Sequence, residues 1–396
     1  MCAMRSASLA FAAARPRAPA PSRASRPSSR VLARRASNAS ASTTSDVAPA
    51  SSRPRQDGFY DWLGHRVHYE CSGDPSTATR HVVLLHGFGV GTFHYEAQLA
   101  SLSDARACVW ALDLIGQGAS WPPPGADAAP GVRYSVDTWR DQVEHFLLER
   151  VRAPAFLAGN SLGGYIATYV AATAPDLCAG LVLMNATPFW AFLPADPDAP
   201  GRRVAPWSGR LPVPRWIKTP IRAYWDSFRS DANVRGLLSL VYARPETIDD
   251  RLVSDIIRPT NDPAALSAFC SVVFSPKSAT SFDEMLAAID AQGEETGVPV
   301  ALVYGRDDPW VVPLWGQRLK RAVPRATYYE LENTGHCPAH ESPDAVNDVM
   351  DAWISWIAGG REGPPPDGSR DGRAKMVDGS PRNVFERFSA LTGARR

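Results

Sequence analysis

Ala155-Phe156-Leu157-Ala158-Gly159-Asn160-Ser161-Leu162-Gly163-Gly164 is the stretch on which the rest of the chain turns. Ala155 to Ala158 is a short apolar run that reads as a buried strand. It stops at Gly159, and the chain resumes as Tyr165-Ile166-Ala167-Thr168-Tyr169-Val170-Ala171-Ala172, a helical pattern that Pro175 ends. Gly159-x-Ser161-x-Gly163 has the spacing of a nucleophile elbow, a strand-to-helix turn so tight that its flanks must be nearly free of side chains. Ser161 is then pushed out at the strand's end, facing the free N–H groups of the next helix. Taken alone, these five residues also fit a Gly-rich loop with a surface serine. The matching pieces elsewhere in the chain displace that reading.

On both sides of the elbow, strand-like and helix-like segments alternate. Residues 59–71 read as a hairpin turning near Gly64. His81-Val82-Val83-Leu84-Leu85 and Ala107-Cys108-Val109-Trp110-Ala111-Leu112 are continuous apolar runs, as parallel strands buried on both faces require, and Gly180-Leu181-Val182-Leu183-Met184, Val300-Ala301-Leu302-Val303-Tyr304 and residues 326–331 are further strand-like segments. Helical patterns such as 136–151 and 313–323 separate them. The alternation specifies an α/β fold with a mostly parallel, doubly wound sheet. One long interruption, 187–292, is rich in proline and aromatics in its first half and reads as helices around 234–242, 248–257 and 263–274. It is expected to be a helical lid inserted between two sheet strands, and its rings suggest a large, flat or greasy substrate. Packing of the lid on the core is the simpler account of any one ring.

The two ends do not belong to this pattern. From Met1 to Ser45 there is no acidic residue, and Arg5, Arg15, Arg17, Arg23, Arg26, Arg30, Arg34 and Arg35 are strewn among Ala, Ser and Pro. Such a composition cannot bury a core and fits an organelle transit peptide better than a secretory signal. A disordered basic arm is the alternative. The expected division is therefore 1–52 as transit or disordered leader, 56–186 as the first part of the core, and 187–292 as the lid. The second part of the core is 293–359, and 360–396 is a flexible tail carrying a hint of helix at 384–388.

At 396 residues, 44% hydrophobic and 21% charged, the chain has an ordinary globular composition, and a net charge of +1 gives no electrostatic case for nucleic acid. No apolar run is long enough to span a bilayer. The six cysteines (Cys2, Cys71, Cys108, Cys178, Cys270, Cys337) are scattered without a C-x-x-C pair. This argues against a disulfide framework or zinc site and for a reducing compartment.

A serine hydroxyl is a poor nucleophile and needs a base, with a carboxylate to hold the base's tautomer. Gly305-Arg306-Asp307-Asp308-Pro309-Trp310 follows a strand and supplies the acid. Neighbouring loop side chains diverge, so only one of the two aspartates can face the base; Asp308 is preferred, with Asp307 as the alternative. His336, after the last strand, is the expected base, and His340 the runner-up. His65, His68 and His81 lie before strand ends and read as structural or exposed. His86-Gly87-Phe88-Gly89 follows a strand, so the N–H groups of Phe88 and Leu162 are the expected oxyanion hole. Asp113 reads as a turn-stabilising residue. Phe189, Trp190 and Trp310 are the aromatic candidates for substrate contact. No metal cluster, phosphate loop or dinucleotide fingerprint accompanies these pieces, and the chemistry calls for no cofactor.

The elbow, the His86-Gly87 run, the acid loop and the histidine stand in the order found in α/β-hydrolases, and a serine at the elbow argues against dehalogenase or epoxide hydrolase chemistry. A closer resemblance lies in residues 84–96, 139–143, 159–165, Leu183-Met184-Asn185-Ala186-Thr187-Pro188-Phe189-Trp190, and 304–311 with Pro313-Leu314-Trp315-Gly316. Together they resemble the pheophytinases, plastid α/β-hydrolases that remove phytol from magnesium-free chlorophyll. The likeness covers about 58–358. It implies hydrolysis of the phytyl ester of pheophytin in the chloroplast, in the stroma or at the thylakoid surface. It places the nucleophile on Ser161, the acid on Asp308 and the base on His336. It also implies a porphyrin ester as binding partner, and admits peripheral thylakoid contact and contact with other chlorophyll-breakdown enzymes. Residues 120–133 look shorter than in land-plant members and 195–210 diverge, which bears on pigment preference. Chlorophyll itself or another lipophilic ester is the rival substrate. A non-enzymatic receptor of this fold is the remote alternative, against which the full triad speaks.

Overall fold

Strand β1 (Arg55–Trp62) turns back into β2 (His65–Ser72) through Leu63 and Gly64, both at positive φ (47° and 70°). That is the mirror-image turn whose twist suits an antiparallel hairpin. The computed structural model describes residues 55–102, 106–126, 132–186, 215–273, 278 and 280–377, all within one unit spanning Ser51–Arg396. The expected leader 1–52, the short helix at 384–388, and Phe189 and Trp190 lie outside the described residues.

From the hairpin the chain builds β3 (Arg80–Leu85), α1 (Glu96–Ser101), β4 (Ala107–Leu112), α2 (Val136–Phe146), β5 (Ala155–Asn160), α3 (Leu162–Thr173) and β6 (Cys178–Met184). Four helices follow: α4 (Arg215–Phe228), α5 (Asp231–Val241), α6 (Asp250–Ile257) and α7 (Ala265–Val273). Then come α8 (Phe282–Ala291), β7 (Val300–Gly305), α9 (Pro313–Ala322), β8 (Thr327–Leu331), α10 (Pro338–Glu341), α11 (Pro343–Ala358) and β9 (Ala374–Met376). Among the described residues the strands form one nine-stranded sheet ordered β1-β2-β4-β3-β5-β6-β7-β8-β9. β4 through β8 run parallel, while β1, β2 and β9 add antiparallel edges.

The sheet is buried on both faces because its strands alternate two sets of apolar side chains. β3 sends Val83 and Leu85 into the layer shared with α2, α3, α8 and α9. Its Val82 and Leu84 enter the opposite layer with Leu99 of α1 and Val346, Val349, Met350 and Trp353 of α11. The order reverses between β3 and β5: the chain goes from β3 outward to β4, then crosses back to β5 on the other side. In open α/β sheets the crevice at that reversal, at the carboxyl ends of the strands, is where ligands bind.

Two expectations need correction. Residues 360–377 are not a flexible tail: β9 pairs with β8, Ala374 is buried, and the Tyr329 hydroxyl donates to Pro366 O at 2.8 Å. A three-residue strand is too short to show periodicity. The insertion ends before 292, because α8 belongs to the core: Phe282, Met285, Leu286 and Ile289 are buried in the sheet's first layer, and Phe282 stacks on Tyr165 at 5.2 Å. A capping box of Ser281 and Glu284 starts this helix. α4 lies in the proline-rich first half of the insertion and carries Pro220 inside it. Ile221 and Trp225 of α4 pack on Leu266 and Cys270 of α7, a contact that offsets the ladder bond the proline cannot make. Among the described residues the cysteines are free, but Cys71 and Cys108 meet across β2 and β4 with their sulfurs 2.9 Å apart.

Candidate active site

Ser161 stands between β5 and α3 with φ 51° and ψ −113°, a conformation that costs a non-glycine residue about 1–3 kcal/mol. The surrounding bonds over-determine it. Its N–H donates to Met184 O at 3.0 Å, and its carbonyl accepts the Tyr165 N–H at 3.0 Å, opening the helix. α3 is held so close to β3 that a Cβ on Gly163 would lie 2.0 Å from Leu85 O. Only glycine fits there. Leu162 is the first residue of α3, so its N–H has no partner in the helical ladder.

The neighbouring Asn160, at the end of β5, donates from Nδ2 to Met184 O at 3.0 Å and to His336 O at 2.8 Å. One side chain thus fastens the loop of the expected base to the residue preceding the expected nucleophile. The ring Nδ1 of His336 donates to Asp308 Oδ2 at 2.6 Å, and both side chains are buried. A carboxylate accepts only, so the proton is on Nδ1 and Nε2 is left as the basic nitrogen. Asp308 is itself fully engaged. Its Oδ1 accepts the N–H groups of Trp310 (2.7 Å) and Val311 (3.0 Å), and its Oδ2 also accepts Asn185 Nδ2 (2.8 Å). Asp307 is exposed, with its N–H on Thr334 O. The structure therefore brings Asp308, not Asp307, to the imidazole.

His340 is not on this path. Its ring stacks on His94 at 5.0 Å, its Nδ1 lies 3.4 Å from the Tyr242 hydroxyl, and burial lowers its pKa. Cys337 is packed against the α5–α6 cluster, and burial pushes its thiol up.

The loop after β3 reaches the same place. A Cβ on Gly87 would stand 3.6 Å from Ser161 Cβ, so the loop leading to Phe88 passes beside the elbow. His86 is buried; its Nδ1–H donates to Gly87 O at 2.7 Å and its Nε2 accepts the Leu114 N–H at 3.0 Å. Burial lowers its pKa, so it serves the loop as a neutral brace. Gly89 N–H donates to Gln117 Oε1 at 2.8 Å. Asp113, read as a turn residue, accepts from Thr92 N (2.7 Å) and Ala119 N (2.8 Å) and holds His68 Nδ1 at 2.7 Å. His65 and His81 are likewise buried structural rings. Of the aromatic candidates, Trp310 is 55% exposed with its ring 5.8 Å from that of His336; Phe88, expected only for its backbone N–H, also has an exposed ring (45%), 5.9 Å from Phe269 of α7. Both border the mouth of the site.

Residues 82–349 match the model of the Alpha/beta hydrolase family. The chain belongs to that family. Among curated relatives, this hydrolase is 39% identical over 324 residues to "Pheophytinase, chloroplastic" of Arabidopsis thaliana, covering 74% of this chain and 65% of that protein. It therefore spans about two thirds of that relative's length. It is 28% identical to a "Pimeloyl-[acyl-carrier protein] methyl ester esterase" of Neisseria meningitidis, covering 66% of this chain and 87% of that protein. Among solved structures, the haloalkane dehalogenase DbeA from Bradyrhizobium elkani USDA94 superposes with a TM-score of 0.58 at 19% identity, over 78% of this chain and all of the other. At that identity the likeness concerns the fold alone. Among the described residues of the hydrolase, no group of His, Cys, Asp and Glu could hold a metal ion, and no helix is long and apolar enough to cross a membrane.

Asn160 and Asn185 were not singled out from sequence. Both are lone asparagines closing buried strands, and Asn185 takes a positive φ of 40°. A polar residue ending an otherwise apolar strand was the one signal that could have marked them.

Proposed function

We propose that the protein is a serine ester hydrolase that removes the phytyl chain from pheophytin, using Ser161 as nucleophile, His336 as base and Asp308 as its orienting acid. The observation that carries the chemistry is the 2.6 Å contact between His336 Nδ1 and buried Asp308, fastened through Asn160 to a strained Ser161. His336 Nε2 takes the hydroxyl proton of Ser161 as Oγ attacks the propionate ester carbonyl. The N–H groups of Phe88 and Leu162 receive the negative charge that develops on the carbonyl oxygen. The ester C–O bond breaks, phytol leaves with the proton from His336, and water activated by the same nitrogen releases pheophorbide. No cofactor takes part in these steps.

The likeness to the Arabidopsis protein supports the pigment and a chloroplast location, stroma or thylakoid surface. The exposed rings of Trp310 and Phe88 beside the site suit a flat macrocycle. A second reading, hydrolysis of a smaller ester, draws on the similarity to methyl ester esterases. Incubation of the recombinant protein with pheophytin, chlorophyll and a short-chain ester, with chromatography of the products, separates them. Sharp preference for pheophytin supports the proposal, and equal turnover of the short ester refutes the pigment assignment.

A further inference from the structure

The last turn of α5 and the two residues after it lie directly on the loop that carries His336. Val241 O, at the end of the helix, has no intrahelical donor left and accepts the His336 N–H at 2.8 Å. A Cβ on Gly335 would lie 2.3 Å from Val241 O and 2.7 Å from Ala243 N, so the two backbones are in direct contact.

Beyond the helix end the N–H groups of Ala243 and Arg244 need acceptors. Both find Glu341 of α10, at 2.8 and 3.3 Å from its Oε2. The same carboxylate accepts Gly335 N–H at 3.1 Å and Cys337 N–H at 3.3 Å, the residues on either side of His336. Arg244 returns the link by donating from Nη1 to Glu341 O at 2.7 Å. Glu341 is fully buried, and burial pushes its carboxyl up while the N–H groups pull it back. A charge-bearing group is expensive in such a place unless all of its acceptor sites are used, and here they are.

We infer that Glu341 is a positioning residue that joins the 241–244 segment of the lid to both flanks of His336, so that this half of the lid and the catalytic base move as one body. The inference rests on the reading of Ser161 and His336 given above. The α5–α6 half then does not swing freely over the site. A displacement of it shifts the imidazole, and misplacing a base by about 1 Å costs on the order of 100-fold in rate.

The test uses the full-length chain with Glu341→Gln, Arg244→Ala and the double variant. For each, kcat and KM on an ester are measured with the rate at which a small fluorophosphonate labels Ser161. The small probe makes no use of lid contacts with substrate, so its rate reports the geometry of the base. Glu341→Gln is expected to lower kcat and the labelling rate together by about 10- to 100-fold with KM nearly unchanged. The double variant is expected to be little worse than the more severe single one, because both break one linkage.

Effects that multiply in the double variant, or wild-type labelling by a folded Glu341→Gln protein, overturn the inference. If Glu341→Gln does not fold, Arg244→Ala decides alone: slower labelling supports the linkage and an unchanged rate refutes it. A wild-type protein that is not labelled at Ser161 removes the nucleophile reading, and this inference with it. Labelled wild type with unaffected variants removes only the inference.

Discussion

Replacing Asp308 by Asn keeps the shape of the side chain and turns Oδ2, the acceptor of two hydrogen bonds, into a donor. Oδ1 accepts two backbone N–H groups, from Trp310 at 2.7 Å and Val311 at 3.0 Å. The single carbonyl oxygen of the amide is claimed there. The NH2 group then faces His336 Nδ1 and Asn185 Nδ2, which approach Oδ2 at 2.6 and 2.8 Å and both donate. The imidazole relieves the clash by moving its proton to Nε2, which removes the lone pair that should deprotonate Ser161. Holding the wrong tautomer costs about 10⁴-fold in kcat, or about 5.4 kcal/mol of transition-state stabilisation. The assay is steady-state hydrolysis by folded Asp308→Asn protein, with folding checked by circular dichroism. Asp307→Asn is the control, and since Asp307 is exposed its rate should stay within about twofold. A rate for Asp308→Asn within tenfold of wild type, or a larger loss from Asp307→Asn, would refute the reasoning.

Ser161→Gly should abolish turnover yet raise Tm by about 2–4 °C, because glycine relieves the positive φ of 51°; a lower Tm in thermal melts would contradict strain at the elbow. Gly163→Ala should destabilise by about 3 kcal/mol or more, since its methyl would lie 2.0 Å from Leu85 O, and denaturant unfolding measures the loss. His68 supplies a pH dependence. Burial lowers its imidazolium, and the bond to Asp113, with the charges of Asp113, Asp57 and Glu70, raises it by more, so its folded pKa lies above the unfolded value. Its stabilising contribution is therefore whole below about pH 6.5 and fades as pH rises through the folded pKa. Tm measured from pH 6 to 9 should fall more for wild type than for His68→Gln, and parallel curves would rule this out.

The sheet was legible because parallel strands buried on both faces leave unbroken apolar runs such as 81–85 and 300–304. The elbow was legible because one spacing of glycines serves one tight turn. What escaped the sequence acts at long range. Asn160 reaches a carbonyl 176 positions away, Asn185 a carboxylate 123 positions away, and Glu341 the lid 98 positions away. Each is a single polar residue whose partner only the fold supplies. α8 was misassigned to the lid because the end of the insertion was set by composition, while its side of the core is defined by Tyr165, far back in the chain. β9 has no pattern of its own and exists because the edge of β8 needs covering.

The central claim is that the hydroxyl of Ser161 cleaves the phytyl ester of pheophytin. Recombinant wild-type and Ser161→Ala protein, each incubated with pheophytin and analysed by chromatography of the pigment and alcohol products, test it most directly. Wild type should release pheophorbide and phytol in equal amounts and Ser161→Ala neither. Pheophytin left intact by wild type, or turned over by the alanine variant, would contradict the account.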